Sequence, residues 1–124
     1  MTDERLYTVG EADALLPDLR ERLSRIRDAR QEILRRTEVV RARVVADVGG
    51  ADPGPEYREA SNTLRAELER LSQENILLRD PETGLVDFPA ERDGERVYLC
   101  WRLGEDHVAN WHPLDTGFAG RRPL

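Results

Sequence analysis

Between Tyr57 and Leu78 the residues Tyr57, Ser61, Leu64, Leu68, Leu71, Asn75 and Leu78 recur at alternating steps of four and three. A helix lines such positions up as one stripe, and a stripe of that period asks to be buried against a second helix. The partner lies upstream. Ala12, Leu15, Leu16, Leu19, Leu23, Ile26, Ile33, Thr37, Val40 and Val44 follow a similar period from Leu19 onward, with Arg30 filling one slot. Between the two patterns stands Asp47-Val-Gly-Gly-Ala-Asp-Pro-Gly-Pro55, the clearest helix breaker in the chain. An antiparallel helical hairpin follows: helix 1 over 8–46, a loop over 47–54 and helix 2 over 55–79.

The ends carry local signals. Thr8-Val9-Gly10-Glu11 has the form of a capping box, in which Thr8 caps the helix and Glu11 reaches back to the Thr8 amide. Pro17 removes a hydrogen bond inside helix 1 and predicts a kink or a short separate first helix. Pro55 suits a first helical turn. Asn75, on the stripe of helix 2, reads as a polar seam residue that fixes register. Helix 1 would be roughly 54 Å long and helix 2 roughly 36 Å. Paired from the loop, helix 2 should therefore end near Leu23, and the first turns of helix 1 overhang. Whatever follows helix 2 should pack on Leu15, Leu16 and Leu19.

From Asp80 the pattern changes to short strands and turns. Asp80-Pro-Glu-Thr-Gly84 reads as a turn, Leu85-Val-Asp-Phe88 as a strand stopped by Pro89, and Arg92-Asp-Gly-Glu95 as a hairpin turn. Val97-Tyr-Leu-Cys-Trp101 is the strongest strand, and Val108-Ala-Asn-Trp-His112 the third. The tail from Gly117 reads as irregular. The fold class is thus α+β: a long antiparallel helical hairpin followed by a small three-stranded antiparallel β-meander. If residues Leu103 to Asp106 close a regular hairpin, Tyr98 faces Trp111, Cys100 faces Ala109, and His112 falls on the face opposite Cys100.

At 124 residues the prior is a single domain over 1–124. No apolar run is long enough to span a bilayer, and Met-Thr-Asp-Glu-Arg at the start is not a signal peptide. The single Cys100 cannot form an internal disulfide, which suits a reducing cytoplasm. All 19 basic residues are Arg, a mark of a GC-rich genome more than of function. A net charge of −6 argues against a general nucleic-acid binder. The charge is uneven, since nine Arg against four acids between Arg20 and Arg43 leave that stretch at +5. This Arg-rich face could bind anions or nucleic acid. The plainer reading is a solvated face with pairs such as Glu21–Arg25 and Glu32–Arg36, neutralised by Glu59, Glu67 and Glu74 of helix 2.

The C-terminal half is also recognisable. Gly84-Leu-Val-Asp-Phe-Pro89, Tyr98-Leu-Cys-Trp-Arg-Leu-Gly-Glu105, Trp111-His112 with Asp115, Gly117-Phe-Ala-Gly-Arg121 and the N-terminal Glu11-Ala-Asp-Ala-Leu-Leu-Pro17 stand together. They resemble the family catalogued as domain of unknown function twenty-two-oh-three. The resemblance implies a stand-alone bacterial protein and carries no established activity.

The densest group of potential metal ligands is His112, Asp115, His107 and Glu105. His112 and Asp115 can point at one ion if the chain turns after Pro113, and Glu11 and Asp13 at the helical overhang are the distant donors. Imidazole and carboxylate together suit a divalent transition metal: iron, manganese or zinc. The plainer reading has His112 bonding a backbone carbonyl and Asp115 capping a turn. Cys100 reads as a small buried hydrophobe more than as a nucleophile. Trp101, Trp111, Tyr98 and Phe118 read as a mini-core between sheet and helices. No phosphate-binding glycine loop, serine nucleophile elbow or zinc-binding cysteine pair is present.

The leading expectation is a small cytoplasmic, self-associating helical-hairpin interaction protein without catalytic activity. A homodimer is expected because Leu34, Val39 and Val45 are left beside the seam. The alternative is a metal-binding protein or metalloenzyme built on His112, Asp115, Glu11 and Asp13. An anion or nucleic-acid binder acting through helix 1 comes third.

Overall fold

The computed structural model describes residues 4–45 and 54–124, with the side chains of 43–45 outside the description. The loop expected over 47–54 lies outside the described residues except for Gly54. Helix α1 runs Val9–Val45 as a single helix, with Pro17 inside it rather than at a break between two helices. Its start is the expected capping box. The Thr8 amide donates to Glu11 Oε1 at 2.9 Å, and the Glu11 amide donates to Thr8 Oγ1 at 3.1 Å. Helix α2 spans Pro55–Gln73 and pairs with α1.

The expected end of helix 2 at residue 79 is six residues too long, because Asn75 takes a left-handed conformation with φ 58°. The Ile76 amide reaches back to the Leu71 carbonyl at 2.9 Å and the Asn75 amide to the Ser72 carbonyl at 3.0 Å. This pair of bonds is a Schellman stop, and Leu71 and Ile76 supply its usual apolar contact as members of the core. Asn75 is therefore a helix terminator and not a seam residue. Leu68, expected in the seam, is 40% exposed.

The three-stranded meander is also corrected. Five antiparallel strands form one sheet in chain order: β1 (Leu77–Asp80), β2 (Leu85–Arg92), β3 (Glu95–Arg102), β4 (Asn110–Pro113) and β5 (Arg122–Pro123). Strand β1 comes from the stretch expected to end helix 2, and β5 from the tail expected to be irregular. Pro89 does not stop β2. Strand β1 pairs only as far as Asp87, so Pro89 faces the open side with no amide to satisfy, and its carbonyl accepts the Tyr7 amide at 2.8 Å. Asp93 and Gly94, with φ of 52° and 80°, make the two-residue turn that the β2–β3 register requires.

One face of the sheet lies on the helices. Val86, Phe88, Ala90, Val97, Leu99 and Trp101 meet Ala12, Leu16, Leu19, Leu23 and Ile26 of α1 in one buried cluster. The overhanging first turns of the long helix are thus the seat of the sheet, as the unequal helix lengths predict. Trp101 is fully buried there, and its indole donates to the Glu105 carbonyl at 3.1 Å.

Candidate metal centre

Strand alternation decides what the other face carries. With Val86 and Phe88 turned to the helices, Asp87 of β2 points away from them. With Leu99 and Trp101 turned inward, Tyr98 and Cys100 of β3 point outward. In the β3–β4 register His112 stands opposite Tyr98 and Asn110 opposite Cys100, so His112 joins the outward set. Asp87 is the β2 partner of Cys100. Three neighbouring strands thereby converge an imidazole, a carboxylate and a thiol on the face away from the helices.

Asp87, Cys100 and His112 are buried, at 2%, 1% and 2% exposure. One ligand atom from each lies within 4.8 Å of the other two. His112 Nε2 is 3.0 Å from both Asp87 oxygens. On its other side, His112 Nδ1 is 2.8 Å from the Pro113 carbonyl. That carbonyl can only accept, so Nδ1 carries a hydrogen. Nε2 then faces a carboxylate, and this contact needs a proton or a metal ion between the two groups. Metal-binding histidines are commonly fixed this way, with the far N–H given to a backbone carbonyl. His112 bonds a backbone carbonyl through Nδ1, as the plainer reading has it, and turns Nε2 to Asp87.

Arg79 of β1 donates Nε–H to Asp87 Oδ2 at 2.8 Å and lies over the Tyr98 ring at 5.0 Å. The hydrogen bond to Asp87 raises the Arg79 pKa and holds its charge beside the carboxylate. Burial, reinforced by the Asp87 charge, pushes the Cys100 thiol up to about 12, with the Arg121 guanidinium opposing. At neutral pH the bare thiol keeps its proton and is a poor nucleophile. A divalent cation reverses this, since coordination by a thiol takes the proton off. The Asp87, Cys100 and His112 cluster can coordinate a divalent metal such as zinc, iron or manganese.

The residues singled out by sequence have distinct places. His112 lies in the cluster. Asp115 is exposed in the tail and borders a cavity that Asp87 also borders. Glu11 serves the helix cap, and its carboxyl is held low by the hydrogen bond from the Thr8 amide. Asp13 Oδ1 accepts the Val108 amide at 2.7 Å. Glu105 accepts from the Arg102 amide and from Arg121, and His107 is exposed. Asp87 escaped the sequence reading. Its signal was an acid between Val86 and Phe88 on a strand whose other face is apolar.

Several of the helix 1 arginines are paired with acids. Arg22 meets Glu67 and Glu74, Arg25 meets Glu67, and Arg36 meets Glu32 and Glu56. No helix among the described residues is long and apolar enough to cross a membrane.

A helical hairpin seated on one face of a five-stranded antiparallel sheet, with a buried Asp/Cys/His cluster on the other, defines an α+β domain with a cluster that could hold a metal ion. The chain belongs to the family described as "Uncharacterized conserved protein (DUF2203)", whose model matches residues 5–124. No curated protein and no solved structure matches it.

Proposed function

We propose that this protein binds one divalent transition metal through Asp87 Oδ, Cys100 Sγ and His112 Nε2. The observation that carries the reading is the close approach of three buried, chemically matched donors from three strands. Metal–donor distances of about 2.0–2.3 Å put the corners of a tetrahedral site about 3.3–3.8 Å apart. The 3.0 Å between His112 Nε2 and Asp87 needs only a small outward adjustment. A thiolate in the set favours zinc or iron over manganese, and all three over magnesium.

Charge supports the same reading. In the metal-free protein the cluster holds the Cys100 proton and the proton between His112 and Asp87. A divalent ion replacing both leaves the net charge of the site unchanged, so the exchange adds no uncompensated charge to a buried place. The test is elemental analysis of protein purified without an affinity tag, alongside calorimetric titration of zinc, ferrous iron and manganese into chelator-treated protein. One equivalent bound in the wild type and lost in His112→Ala and Cys100→Ala is the expected result. No metal in either experiment removes the reading.

The expected homodimer has separate support in Leu34 and Val39, which are 51% and 37% exposed on α1. Light scattering giving a mass near 14.2 kDa, that of one chain, would remove it. A free buried thiol at the centre is compatible with the reducing cytoplasm, where we place the protein.

A further inference from the structure

Three protein donors leave a tetrahedral metal one open position, as in centres that take a water or a ligand. Asp87, Cys100 and His112 are all buried, and of the three Asp87 lines a cavity of about 330 Å³ between the sheet and the C-terminal tail. A metal held by the three would have its open position on this cavity if that position lay on the Asp87 side. Arg79 lines it too, with 42% of its side chain exposed although Nε is held by Asp87. With a metal bound, a ligand entering the cavity would meet two cationic groups, the metal and the Arg79 guanidinium, a pairing that suits a carboxylate. Asp115 and Thr116 also line the cavity and offer oxygen acceptors to a donor group on the same molecule. Leu114 and Phe118, 52% and 40% exposed, supply an apolar rim. The volume is at the small end for ligand pockets, about 300–1,000 Å³, and so suits a compact molecule.

We propose that this cavity takes a small carboxylate bearing a neighbouring hydroxyl or amino group, bound between the metal's open position and Arg79. This inference rests on the metal reading above. A carboxylate with a donor on the adjacent carbon can reach the metal and Arg79 through its oxygens and Asp115 through its donor. A simple carboxylate makes only the first set of contacts.

The test uses the full chain loaded with cobalt(II), whose visible absorption reports both thiolate coordination and changes at the open position. Glycolate is titrated, with acetate as the comparison. We expect a saturable spectral change with glycolate at least tenfold tighter than with acetate. Arg79→Met should weaken glycolate at least tenfold, and Asp115→Asn should remove most of its advantage over acetate. Because Arg79 also touches Asp87, Leu114→Trp is the second variant: it narrows the cavity without touching a metal donor, and should weaken glycolate while the cobalt bands stay intact. Cobalt bound with no response to glycolate, or with equal response in Leu114→Trp, overturns the cavity inference and leaves the metal centre standing. Failure to bind cobalt removes both.

Discussion

His112 Nε2 stands 3.0 Å from both carboxylate oxygens of Asp87, while Nδ1 of the same ring is 2.8 Å from the Pro113 carbonyl. The ring is thereby locked with Nε2 presented to the acid, and the gap between them holds either a proton or a cation. The pH dependence of metal binding follows. Below about pH 12 the Cys100 thiol must lose a proton to coordinate, and the proton shared by His112 and Asp87 must also leave. Affinity should rise with pH by at least about tenfold per unit near neutrality, the contribution of the displaced thiol proton. Titrations at pH 6, 7 and 8 in buffers of different ionisation enthalpy measure the proton count. A pH-independent affinity would show that the thiol is not a ligand.

The metal-free protein makes a second pH prediction. The folded state raises the Cys100 pKa from 9.0 to about 12, so it holds a proton that the unfolded chain releases between those values. The stability this contributes is complete below pH 9 and is lost as pH rises towards 12. Tyr7 shifts in the same direction, chiefly through burial, so the wild-type slope alone does not isolate the thiol. The comparison is urea unfolding at pH 8 and pH 10.5 in wild type and Cys100→Ala, both stripped of metal. The wild type should lose more stability between the two pH values than the variant. Equal losses would mean that the thiol is not held neutral by the fold.

The hairpin and the seat of the sheet are legible because they depend on periodicity and length, which a single sequence carries. The centre is not, and the reason is one residue of register. Closing a regular hairpin through Leu103–Asp106 pairs Tyr98 with Trp111, whereas the structure pairs Tyr98 with His112. A slip of one turns every side chain of a strand to the other face. It separates His112 from Cys100 on paper, and the two are together in the fold. The slip arises because Val108 is not a strand residue. Its side chain is buried in the core and its amide is spent on Asp13, so the connection to β4 is longer than a tight turn. Strand β1 is hidden for another reason: Leu78 continues the helical spacing of Leu71, and only the left-handed Asn75 between them ends the helix.

Asn75 therefore carries a prediction opposite to that of a seam residue. Its φ of 58° is open to Gly, tolerable for Asn and costly for a bulky apolar side chain. Its Nδ2 also donates to the Arg5 carbonyl at 3.1 Å, tying the N-terminal segment to the helix end. Asn75→Gly keeps the turn and loses the tie, a cost of about 0.5–1.5 kcal/mol. Asn75→Leu loses both and should cost about 2–3 kcal/mol. Chemical denaturation of the three proteins gives the order. A stabilised Leu variant would return Asn75 to the hairpin seam.

Arg22 is the charge most deeply enclosed by the hairpin, at 1% exposure. Its Nε meets Glu67 at 3.1 Å and its Nη1 meets Glu74 at 2.8 Å, while Nη2 is buried without a hydrogen-bond partner among the described residues. Burial disfavours its charge, but the hydrogen bonds to Glu74 and Glu67 prevail and its pKa is raised. Removing one partner of a buried pair costs about 3–5 kcal/mol when the other charge is stranded. Here it is not stranded. Glu67 keeps Arg25 at 3.2 Å, Glu74 keeps Arg70 at 3.6 Å, and the Glu74 side chain is 33% exposed. The cost of Arg22→Ala should thus fall near the lower end, about 3 kcal/mol, and much of it should come from the cavity left by the aliphatic stem. Arg22→Met refills that space, removes the unpartnered Nη2 and leaves Glu67 its pair with Arg25 and Asp18 and Glu74 theirs with Arg70, so it should remain within about 1.5 kcal/mol of wild type. Urea unfolding of both variants separates the contributions. If Met is as damaging as Ala, the ion pairs and not the packed stem hold the two helices together at this point.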